Sequence, residues 1–325
     1  MPQPKRALLI VNPISGTAGK EGLPDMVRDY LPEYKLEVCY TKGRGDATRL
    51  ARMAVDSGIH TVIAAGGDGT VNETAIALRD TRVVMGIIPC GSGNGLARHL
   101  NIDIDVESAL RVIRSNHIEA CDYGTVNGHP FFCTFGVGFD AAVSNSFAKC
   151  SRRGRLTYLR ETFLEYTRYR PQVYVITRGD TGEVITDNAF LVAVCNASQY
   201  GNNAYIAPNA TMTDGLLDIT LIHSGNPIST ALVGVDLLTG YIDRNNMIDT
   251  LKVPAVTIER QEPGPVHLDG EPMEMGRRLD IVCHPGGLNL YTPVKQEDFK
   301  PLITPVRALM RDIHYAFLHI FRNGI

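Results

Sequence analysis

The segment AAGGDGTVNE at residues 64–73 places three glycines and one aspartate in four consecutive positions. Gly66, Gly67 and Gly69 allow a bound group to approach the backbone closely, because glycine has no side chain. Asp68, which lies among them, carries a carboxylate that can hold a cation or accept a proton. An aspartate at the start of a helix also caps backbone N–H groups. The segment therefore predicts a loop that handles phosphate or metal, with capping as the alternative role for Asp68.

Two further glycine-bearing loops occur in a similar setting. NPISG at residues 12–16 follows the aliphatic run ALLIV, and GSGN at residues 91–94 follows VVMGII. Such runs are typical of buried parallel strands, whose carboxyl ends meet at one edge of a sheet and bind ligands there. A second NPIS, at residues 226–229, precedes an apolar helix, so there we expect Asn226 to act only as a helix cap. The three glycine loops are expected to form one phosphate-binding site.

The patterns of strands and helices divide the chain into two domains and a terminal helix. Residues 1–122 repeat a strand, a glycine-bearing loop and a helix, which predicts a Rossmann-like α/β domain. Residues 123–294 contain strand patterns joined by turns such as GDTGE and EPGP, which predict an antiparallel β-sandwich domain. Apolar residues three and four positions apart in residues 295–325 predict an amphipathic helix, which packs against the protein or, alternatively, lies at a membrane surface.

The composition indicates a folded protein without a basic surface for nucleic acid. The chain has 325 residues and a net charge of −3, whereas phosphate backbones select for positive charge. Its seven cysteines include no Cys-x-x-Cys pair, which argues against a disulfide framework and a zinc site. The sequence has no uncharged apolar run of about 18 residues that could span a bilayer. We therefore expect a cytoplasmic location and no nucleic-acid partner.

Six motifs occur in the same order as in one known family and extend over nearly the whole chain. The sequence resembles the diacylglycerol kinase catalytic family, which includes sphingosine kinases and bacterial lipid kinases. GSGN is more similar to the motif of the sphingosine kinases than to the bacterial GTGND, because Gly95 stands in place of the aspartate. The six motifs are NPISG (12–16), GGDGTVNE (66–73), IPCGSGNGLA (88–97), GVGFDA (136–141), DGLLDI (214–219) and LDGE (268–271).

This resemblance implies an ATP- and Mg²⁺-dependent kinase that transfers the γ-phosphate to a primary hydroxyl of a lipid. It favours a sphingoid base slightly over diacylglycerol. It also implies a cleft between the two domains, a C-terminal segment that returns to the N-terminal domain, and peripheral association with a membrane surface, and it leaves a homodimer open. Two alternatives remain. GGDGT also resembles elements of NAD kinases and phosphofructokinases, which use soluble acceptors, and the chain could instead be a non-catalytic nucleotide- or lipid-binding regulator.

Residues of the three glycine loops and of LDGE are expected to bind the nucleotide. Backbone N–H groups of the loops would hold the phosphates, Glu73 would contact the ribose or the metal, and Asn72 would assist. The expected nucleotide-binding residues are Asn12, Pro13, Ser15, Gly16, Thr41, Gly66, Gly67, Gly69, Thr70, Glu73, Gly91, Ser92, Gly93, Asn94, Asp269 and Gly270.

Two carboxylates are candidates for the catalytic base. Without the family resemblance, the local sequence predicts that Glu271 follows an ordinary Asp-Gly turn and is exposed to solvent. The resemblance implies instead that LDGE lies in the cleft and supplies the base. Asp68 competes for this role because of its position among the glycines. We expect both Asp68 and Glu271 to face the γ-phosphate, with one organising Mg²⁺ and the other taking the hydroxyl proton.

The lipid is expected to contact Asp140 and a basic segment. Asp140 lies in GVGFDA, and the resemblance implies that the residues after this motif handle the lipid head group. Residues 149–170 carry an excess of five positive charges. Within them, Arg152, Arg153 and Arg155 are expected to contact the lipid or an anionic membrane, with a solvated helix face as the alternative.

Asp214 and Asp218 form a candidate metal site. Their carboxylate oxygens suit Mg²⁺, and the pair resembles a structural magnesium site of the family. Two aspartates at a turn that leads into a strand are also common without a metal. The sequence leaves these two interpretations open.

Overall fold

A computed structural model of the chain shows an α/β region followed by an antiparallel β region. The described residues are 5–16, 22–148, 162, 164–201, 203–242 and 245–295. The predicted C-terminal helix and the basic residues Arg152, Arg153 and Arg155 lie outside them. In the part of the chain that is described, no helix combines the length and the apolar character needed to cross a bilayer.

The N-terminal region is a parallel sheet packed against helices. Its strands are β1 (Lys5–Val11), β2 (Tyr34–Tyr40), β3 (Thr61–Gly66) and β4 (Val84–Pro89). Its helices are α1 (Leu23–Tyr30), α2 (Asp46–Asp56), α3 (Asp68–Leu78), α4 (Gly95–His99) and α5 (Val106–Ser115). The strand order is β4-β3-β1-β2, and these pairs are parallel. Every residue of β3 is buried, so both faces of the sheet are covered there, and the predicted Rossmann-like α/β domain is confirmed.

The second region consists mainly of antiparallel strands. The strands are β5 (Ile118–Val126), β6 (His129–Phe131), β7 (Thr134–Gly138), β8 (Gln172–Arg178), β9 (Val184–Cys195), β10 (Leu217–His223), β11 (Ile248–Val253), β12 (Ala255–Arg260), β13 (Gly264–Leu268), β14 (Glu271–Met275) and β15 (Arg278–Tyr291). The order β14-β13-β7-β9-β8-β12-β15 has antiparallel pairs throughout, and β10 joins β9 to β11. Helix α6 (Phe139–Ala148) follows β7, and α7 (Pro227–Thr239) follows β10. The predicted antiparallel β domain is confirmed.

Local sequence explains several of these element boundaries. The GDTGE turn joins β8 to β9, and Gly182 takes the positive φ of 73° that this hairpin needs. Asn226 caps α7, because its Oδ1 accepts a hydrogen bond from Ser229 N at 2.9 Å. The second NPIS is therefore a helix cap, as its sequence predicts.

Strand β15 connects the two regions. Its first half pairs with β12, and Leu290 near its end pairs in parallel with Met85 of β4. Strand β5 runs beside β15 over most of its length, so the predicted domain boundary at residue 122 falls inside a strand. The sheet of the N-terminal region thus continues through β15 into the antiparallel region.

Candidate active site

The three glycine loops lie side by side at the carboxyl edge of the parallel sheet. Asn12 N donates to Ala65 O at 3.0 Å, and Cys90 N donates to Gly66 O at 2.8 Å, so the loops leave β1, β3 and β4 together. The side chain of Asn12 also donates to Thr70 Oγ1 at 3.1 Å. This juxtaposition follows from parallel pairing, which brings equivalent strand ends to one edge.

The carboxylate of Asp68 joins the second loop to the third. Its Oδ2 accepts a hydrogen bond from Asn94 N at 2.9 Å, and its Oδ1 accepts one from Gly95 N at 2.7 Å. Asp68 therefore caps α4, although it is itself the first residue of α3. Asp68 thus acts as a cap, but for α4 rather than for its own helix α3. Each oxygen of its carboxylate keeps a further lone pair for another ligand.

Close packing between the loops explains two of the glycines. A Cβ atom at Gly91 would lie 2.6 Å from the Cα of Gly67, and one at Gly93 would lie 2.6 Å from Asp68 Oδ2. Gly69 differs, because a Cβ there would meet no described atom within 4 Å. Packing alone thus accounts for Gly91 and Gly93, whereas Gly69 leaves an open face at the first turn of α3.

A cavity of about 300 Å³ lies in front of the first two loops. Two basic residues, Lys42 and Arg44, line this cavity, and neither belongs to the motifs found in the sequence. They follow Thr41 in the loop after β2, and the carboxyl end of this parallel strand is the signal that could have found them. The lining residues are Asn12, Pro13, Ile14, Thr41, Lys42, Gly43, Arg44, Ala47, Gly69, Thr70 and Glu73.

Two of the expected nucleotide-binding side chains, those of Glu73 and Asn94, form hydrogen bonds with the protein's own backbone. Both oxygens of Glu73 cap α2, with hydrogen bonds from Gly45 N at 2.7 Å and Ala47 N at 3.1 Å. Asn94 closes its own loop, because its side chain bonds both the N–H and the C=O of Gly91. These contacts give Glu73 and Asn94 positioning roles, and a ribose or metal contact of Glu73 would have to share its carboxylate.

Asp269 anchors the LDGE turn to both regions. Its carboxylate accepts hydrogen bonds from the backbone N–H groups of Phe132, Cys133 and Thr134 at 2.7–2.9 Å. Asn72 of α3 donates a fourth, at 2.5 Å. Burial raises the pKa of the Asp269 carboxyl, while the three backbone hydrogen bonds act in the opposite direction. Asp269 thus holds the turn in place, and neither it nor Gly270 lines the cavity.

Glu271 reaches the mouth of the cavity. Its Oε2 lies 2.9 Å from Nη2 of Arg44, a residue of the cavity wall. Both side chains are exposed, at 57 % for Glu271 and 84 % for Arg44. Of the two candidate bases, Glu271 is therefore the accessible carboxylate, whereas Asp68 is bound to the third loop.

Asp140 lies in a buried hydrogen-bond network behind the LDGE turn. Its Oδ2 lies 2.8 Å from Tyr200 Oη, which donates to it, and 3.0 Å from His267 Nε2. Its Oδ1 accepts from Ala141 N at 2.7 Å. The expected contact with substrate would therefore involve a carboxylate that already has protein partners.

The ammonium of Lys252 lies close to the carboxylates of both Asp214 and Asp218. Its Nζ lies 2.9 Å from Asp214 Oδ2 and 3.4 Å from Asp218 Oδ2. Partial burial acts to lower the pKa of Lys252, but the two carboxylates outweigh it and the pKa is raised. The described residues contain no group of three or more His, Cys, Asp or Glu side chains suited to a metal. The ammonium supplies positive charge to both carboxylates, and a magnesium site at Asp214 and Asp218 stays a prediction.

A second interdomain contact involves His99 at the end of α4. Its Nδ1 accepts a hydrogen bond from Ser198 N at 3.1 Å and lies 3.0 Å from Ser198 Oγ. Burial lowers the pKa of His99 to about 4, so this imidazole is neutral near pH 7. The sequence around His99 does not have the spacing of a metal ligand. Its hydrogen bonds depend on Ser198, a residue of the second region.

Two family models match consecutive parts of the chain. The model described as the diacylglycerol kinase catalytic domain matches residues 6–126. The model described as the YegS C-terminal NAD kinase beta sandwich-like domain matches residues 133–292. The two matches coincide with the α/β region and the antiparallel region of the fold.

Similar proteins carry the name "Probable lipid kinase YegS-like". One from Chromohalobacter salexigens is 32 % identical over 266 residues, which cover 80 % of this chain and 85 % of the relative. One from Pseudomonas syringae pv. tomato is 30 % identical over 302 residues, with coverage of 89 % and 94 %. These relatives match both regions of the chain.

The fold is also similar to two crystal structures from Bacillus anthracis, one described as a "putative diacylglycerol kinase" and one described as diacylglycerol kinases. One matches with a TM-score of 0.74 and 25 % identity, covering 90 % of this chain and 99 % of the other. A second matches with a TM-score of 0.69 and 24 % identity over the same coverage, a likeness of fold alone. The arrangement of the two regions is therefore shared with these structures.

Proposed function

The chain belongs to the YegS-like lipid kinase family, with its diacylglycerol kinase catalytic domain, and on that premise we propose that it transfers the γ-phosphate of ATP to a primary hydroxyl of a lipid. The observation that carries this proposal is the position of Glu271. An accessible carboxylate lies beside Arg44 at the mouth of a cavity, and the open first turn of α3 forms part of the cavity wall. A phosphate-binding wall next to a candidate base is the arrangement that phosphoryl transfer needs.

The cavity supports binding of the triphosphate. The first turn of α3, at Gly69 and Thr70, has backbone N–H groups without intrahelical partners, and in the described part of the chain its N-cap residue Gly67 provides no side-chain cap, an arrangement that favours anions. Lys42 and Arg44 add two positive charges to the cavity wall, and arginine can bind phosphate through two parallel hydrogen bonds. The expected contacts of Asn12, Pro13 and Thr41 also fit, because these residues line the same cavity.

The proposed reaction uses Glu271 as the base. The lipid hydroxyl oxygen attacks the γ-phosphorus, the bond from this phosphorus to the β–γ bridging oxygen breaks, and ADP leaves with that oxygen. Glu271 accepts the hydroxyl proton, while Arg44 offsets the charge on the transferring group. Asp68 holds the second and third loops in register through Asn94 and Gly95.

The chain's carboxylates also fit a magnesium ion bound with the nucleotide. Asp68 keeps a lone pair on each oxygen, and Glu271 is accessible, so both can supply the hard oxygen ligands that Mg²⁺ prefers. When bound, the ion would supply charge neutralisation for the phosphates.

The acceptor is proposed to approach from the antiparallel region. Phe139, Tyr166, Tyr169 and Phe190 form an aromatic cluster next to Asp140, with ring centroids 4.5–6.2 Å apart. Such a cluster suits an alkyl chain that must be shielded from water. A sphingoid base and diacylglycerol both carry the required hydroxyl. The preference for a sphingoid base over diacylglycerol rests on GSGN. Because Asp140 already binds Tyr200 and His267, its carboxylate gives no further reason to favour the amine of a sphingoid base.

Peripheral association with a membrane is part of the proposal. Leu232 and Val235 are exposed on α7, at 41 % and 49 %, and could contact lipid as the substrate is taken up. Vesicle co-sedimentation of wild type and Leu232→Ser/Val235→Ser would measure this contact. The homodimer stays a prediction, which sedimentation velocity would test.

A kinase for a soluble acceptor is the second candidate. The observation that favours it is the description of the second family model as NAD kinase beta sandwich-like. A non-catalytic nucleotide-binding regulator is a third role, and it would bind ATP without transferring phosphate. A single assay separates the three roles.

The experiment is transfer of labelled phosphate from [γ-³²P]ATP with Mg²⁺ to a panel of acceptors. The panel contains sphingosine, diacylglycerol, ceramide and phosphatidylglycerol in mixed micelles, with NAD as the soluble acceptor. The proposal expects label in one or more lipids and none in NAD. Label in NAD alone would replace it with the soluble-acceptor function, and ATP binding without transfer would support the regulator.

A further inference from the structure

The LDGE turn is supported from behind by a buried imidazole. His267 lies on β13, two residues before Asp269, and is fully buried. Gly270 N donates to its Nδ1 in a long hydrogen bond of 3.4 Å, so this nitrogen acts as an acceptor. The proton of the neutral ring then lies on Nε2, which donates to Asp140 Oδ2 at 3.0 Å. His267 thus contacts both the turn before Glu271 and the carboxylate of Asp140.

The Asp140–His267 pair occupies a tightly packed position. The side chains lie beside Gly136 of β7, where any Cβ atom would overlap both Asp140 Oδ2 and His267 Nε2. Side-chain exposure is 11 % for Asp140 and 1 % for His267. A buried pair with this geometry has little freedom to move, so it can transmit a precise position to the turn.

Tyr200 connects this pair to the third glycine loop. Its hydroxyl donates to Asp140 Oδ2 at 2.8 Å. Its backbone and the following Gly201 pack against the loop, where a Cβ at Gly201 would lie 3.2 Å from Gly93 Cα. Contacts therefore run from the loop that binds Asp68, through Tyr200, Asp140 and His267, to the N–H of Gly270.

We propose that Asp140 and His267 are positioning residues that place Glu271 through the Gly270 N–H, and that Tyr200 couples this placement to the third glycine loop. The proposal rests on the function proposed above, in which Glu271 is the base. It gives Asp140 a role that requires no direct contact with the lipid. A displacement of about 1 Å at a catalytic group can lower the rate by about a hundredfold, so such support has a measurable effect.

Two variants of His267 separate its two contacts. His267→Asn keeps an acceptor near the position of Nδ1 and loses the reach to Asp140. His267→Gln keeps a donor near the position of Nε2 and loses the acceptor for Gly270 N–H. We expect kcat to fall about tenfold to a hundredfold in His267→Gln and less in His267→Asn, with the KM for ATP nearly unchanged in both.

A double-mutant cycle with Glu271→Gln distinguishes positioning from general stability. If His267 acts through Glu271, His267→Gln should change kcat by less than about twofold in the Glu271→Gln background. Tyr200→Phe removes a single hydroxyl and provides the same test if the histidine variants fold poorly. Equal losses of kcat in the two backgrounds would overturn the proposal.

His284→Gln is the matched control. His284 lies in the same region, its Nε2 is 2.9 Å from Thr125 Oγ1, and its ring stacks on Tyr123. It has no contact with the turn among the described residues, so we expect kcat to stay within about twofold of wild type in both backgrounds.

Hydrogen exchange of the Gly270 amide tests the positioning without using catalysis. Exchange should be faster in His267→Gln and Tyr200→Phe than in wild type and unchanged in His284→Gln. Unchanged exchange in the first two variants would overturn the proposal. If Glu271→Gln kept full activity while the exchange pattern held, the assignment of the base would be wrong and the support of the turn would stand.

Discussion

Arg44 Nη2 lies 2.9 Å from Glu271 Oε2, which connects the loop after β2 with the first residue of β14 across the cleft. Because both side chains are exposed, the pair contributes little to stability. Its significance is its location, since Arg44 also lines the cavity proposed for the triphosphate. The same guanidinium can therefore bind the carboxylate before nucleotide arrives and the phosphates afterwards.

Arg44→Ala is expected to raise the KM for ATP about tenfold, equivalent to ~1.4 kcal/mol, because a charge-assisted phosphate contact is lost. Arg44→Lys should give a smaller rise, since lysine keeps the charge without the fork of donors. Arg52→Ala on the exposed face of α2 is the control and should leave KM unchanged. Steady-state kinetics and ATP calorimetry measure the effect. A normal KM in Arg44→Ala would remove Arg44 from the phosphate site.

Asp68→Asn should both loosen the loops and weaken ATP binding. The amide cannot accept both hydrogen bonds from Asn94 N and Gly95 N, so we expect a loss of about 1–3 kcal/mol in the free energy of unfolding. Urea denaturation and ATP calorimetry provide the two measurements.

Asp105→Asn is the matched control for Asp68. Asp105 caps α5 through Ser108 N at 2.9 Å and is not among the residues that line the cavity. It should lose some stability and keep normal ATP affinity. Equal effects of the two substitutions on ATP affinity would mean that Asp68 acts only through stability.

Lys252→Met should expose the repulsion between Asp214 and Asp218. Without the ammonium, two carboxylates remain close together, and we expect a loss of about 1–3 kcal/mol in stability that added Mg²⁺ partly restores. Wild type should have the same Tm with and without EDTA. A fall in the wild-type Tm on addition of EDTA would favour the magnesium site that the sequence suggested.

Acid should weaken the contact between α4 and the second region through His99. Its pKa is lowered to about 4 in the folded protein, whereas an unfolded histidine titrates near 6.5. The unfolded chain therefore binds the proton first, so this contribution is complete above pH 6.5 and is lost as the pH falls toward 4. His99→Asn keeps an acceptor for Ser198 N and removes the titration. Urea unfolding at pH 7.5 and 5 should show a smaller loss of stability in this variant, and an equal loss would contradict the role of His99.

The sequence was sufficient to predict the elements that carry the site. Continuous aliphatic runs followed by glycine loops predicted the parallel strands and the edge at which the loops meet, and antiparallel turns predicted the second domain. The cap at Asn226 could also be predicted, because capping depends on residues within one turn of a helix. These features depend on local sequence.

Contacts between distant segments could not be predicted in the same way. Lys252 meets Asp218 because β11 pairs with β10 in one particular register, which the sequence does not specify. The hydrogen bonds of Asp68 depend on where α4 begins relative to α3, and those of Asp269 depend on how the two regions approach each other. For this reason the sequence indicates the functional carboxylates but not the groups that bind them.

The rate of γ-phosphate transfer by Glu271→Gln tests the central claim most directly. With saturating ATP, Mg²⁺ and the best lipid acceptor, we expect kcat to fall at least about a hundredfold, because the hydroxyl proton loses its acceptor, while ATP affinity stays within about twofold of wild type. A kcat equal to that of wild type in this variant would contradict the account, since the accessible carboxylate at the cavity mouth would then have no part in the reaction.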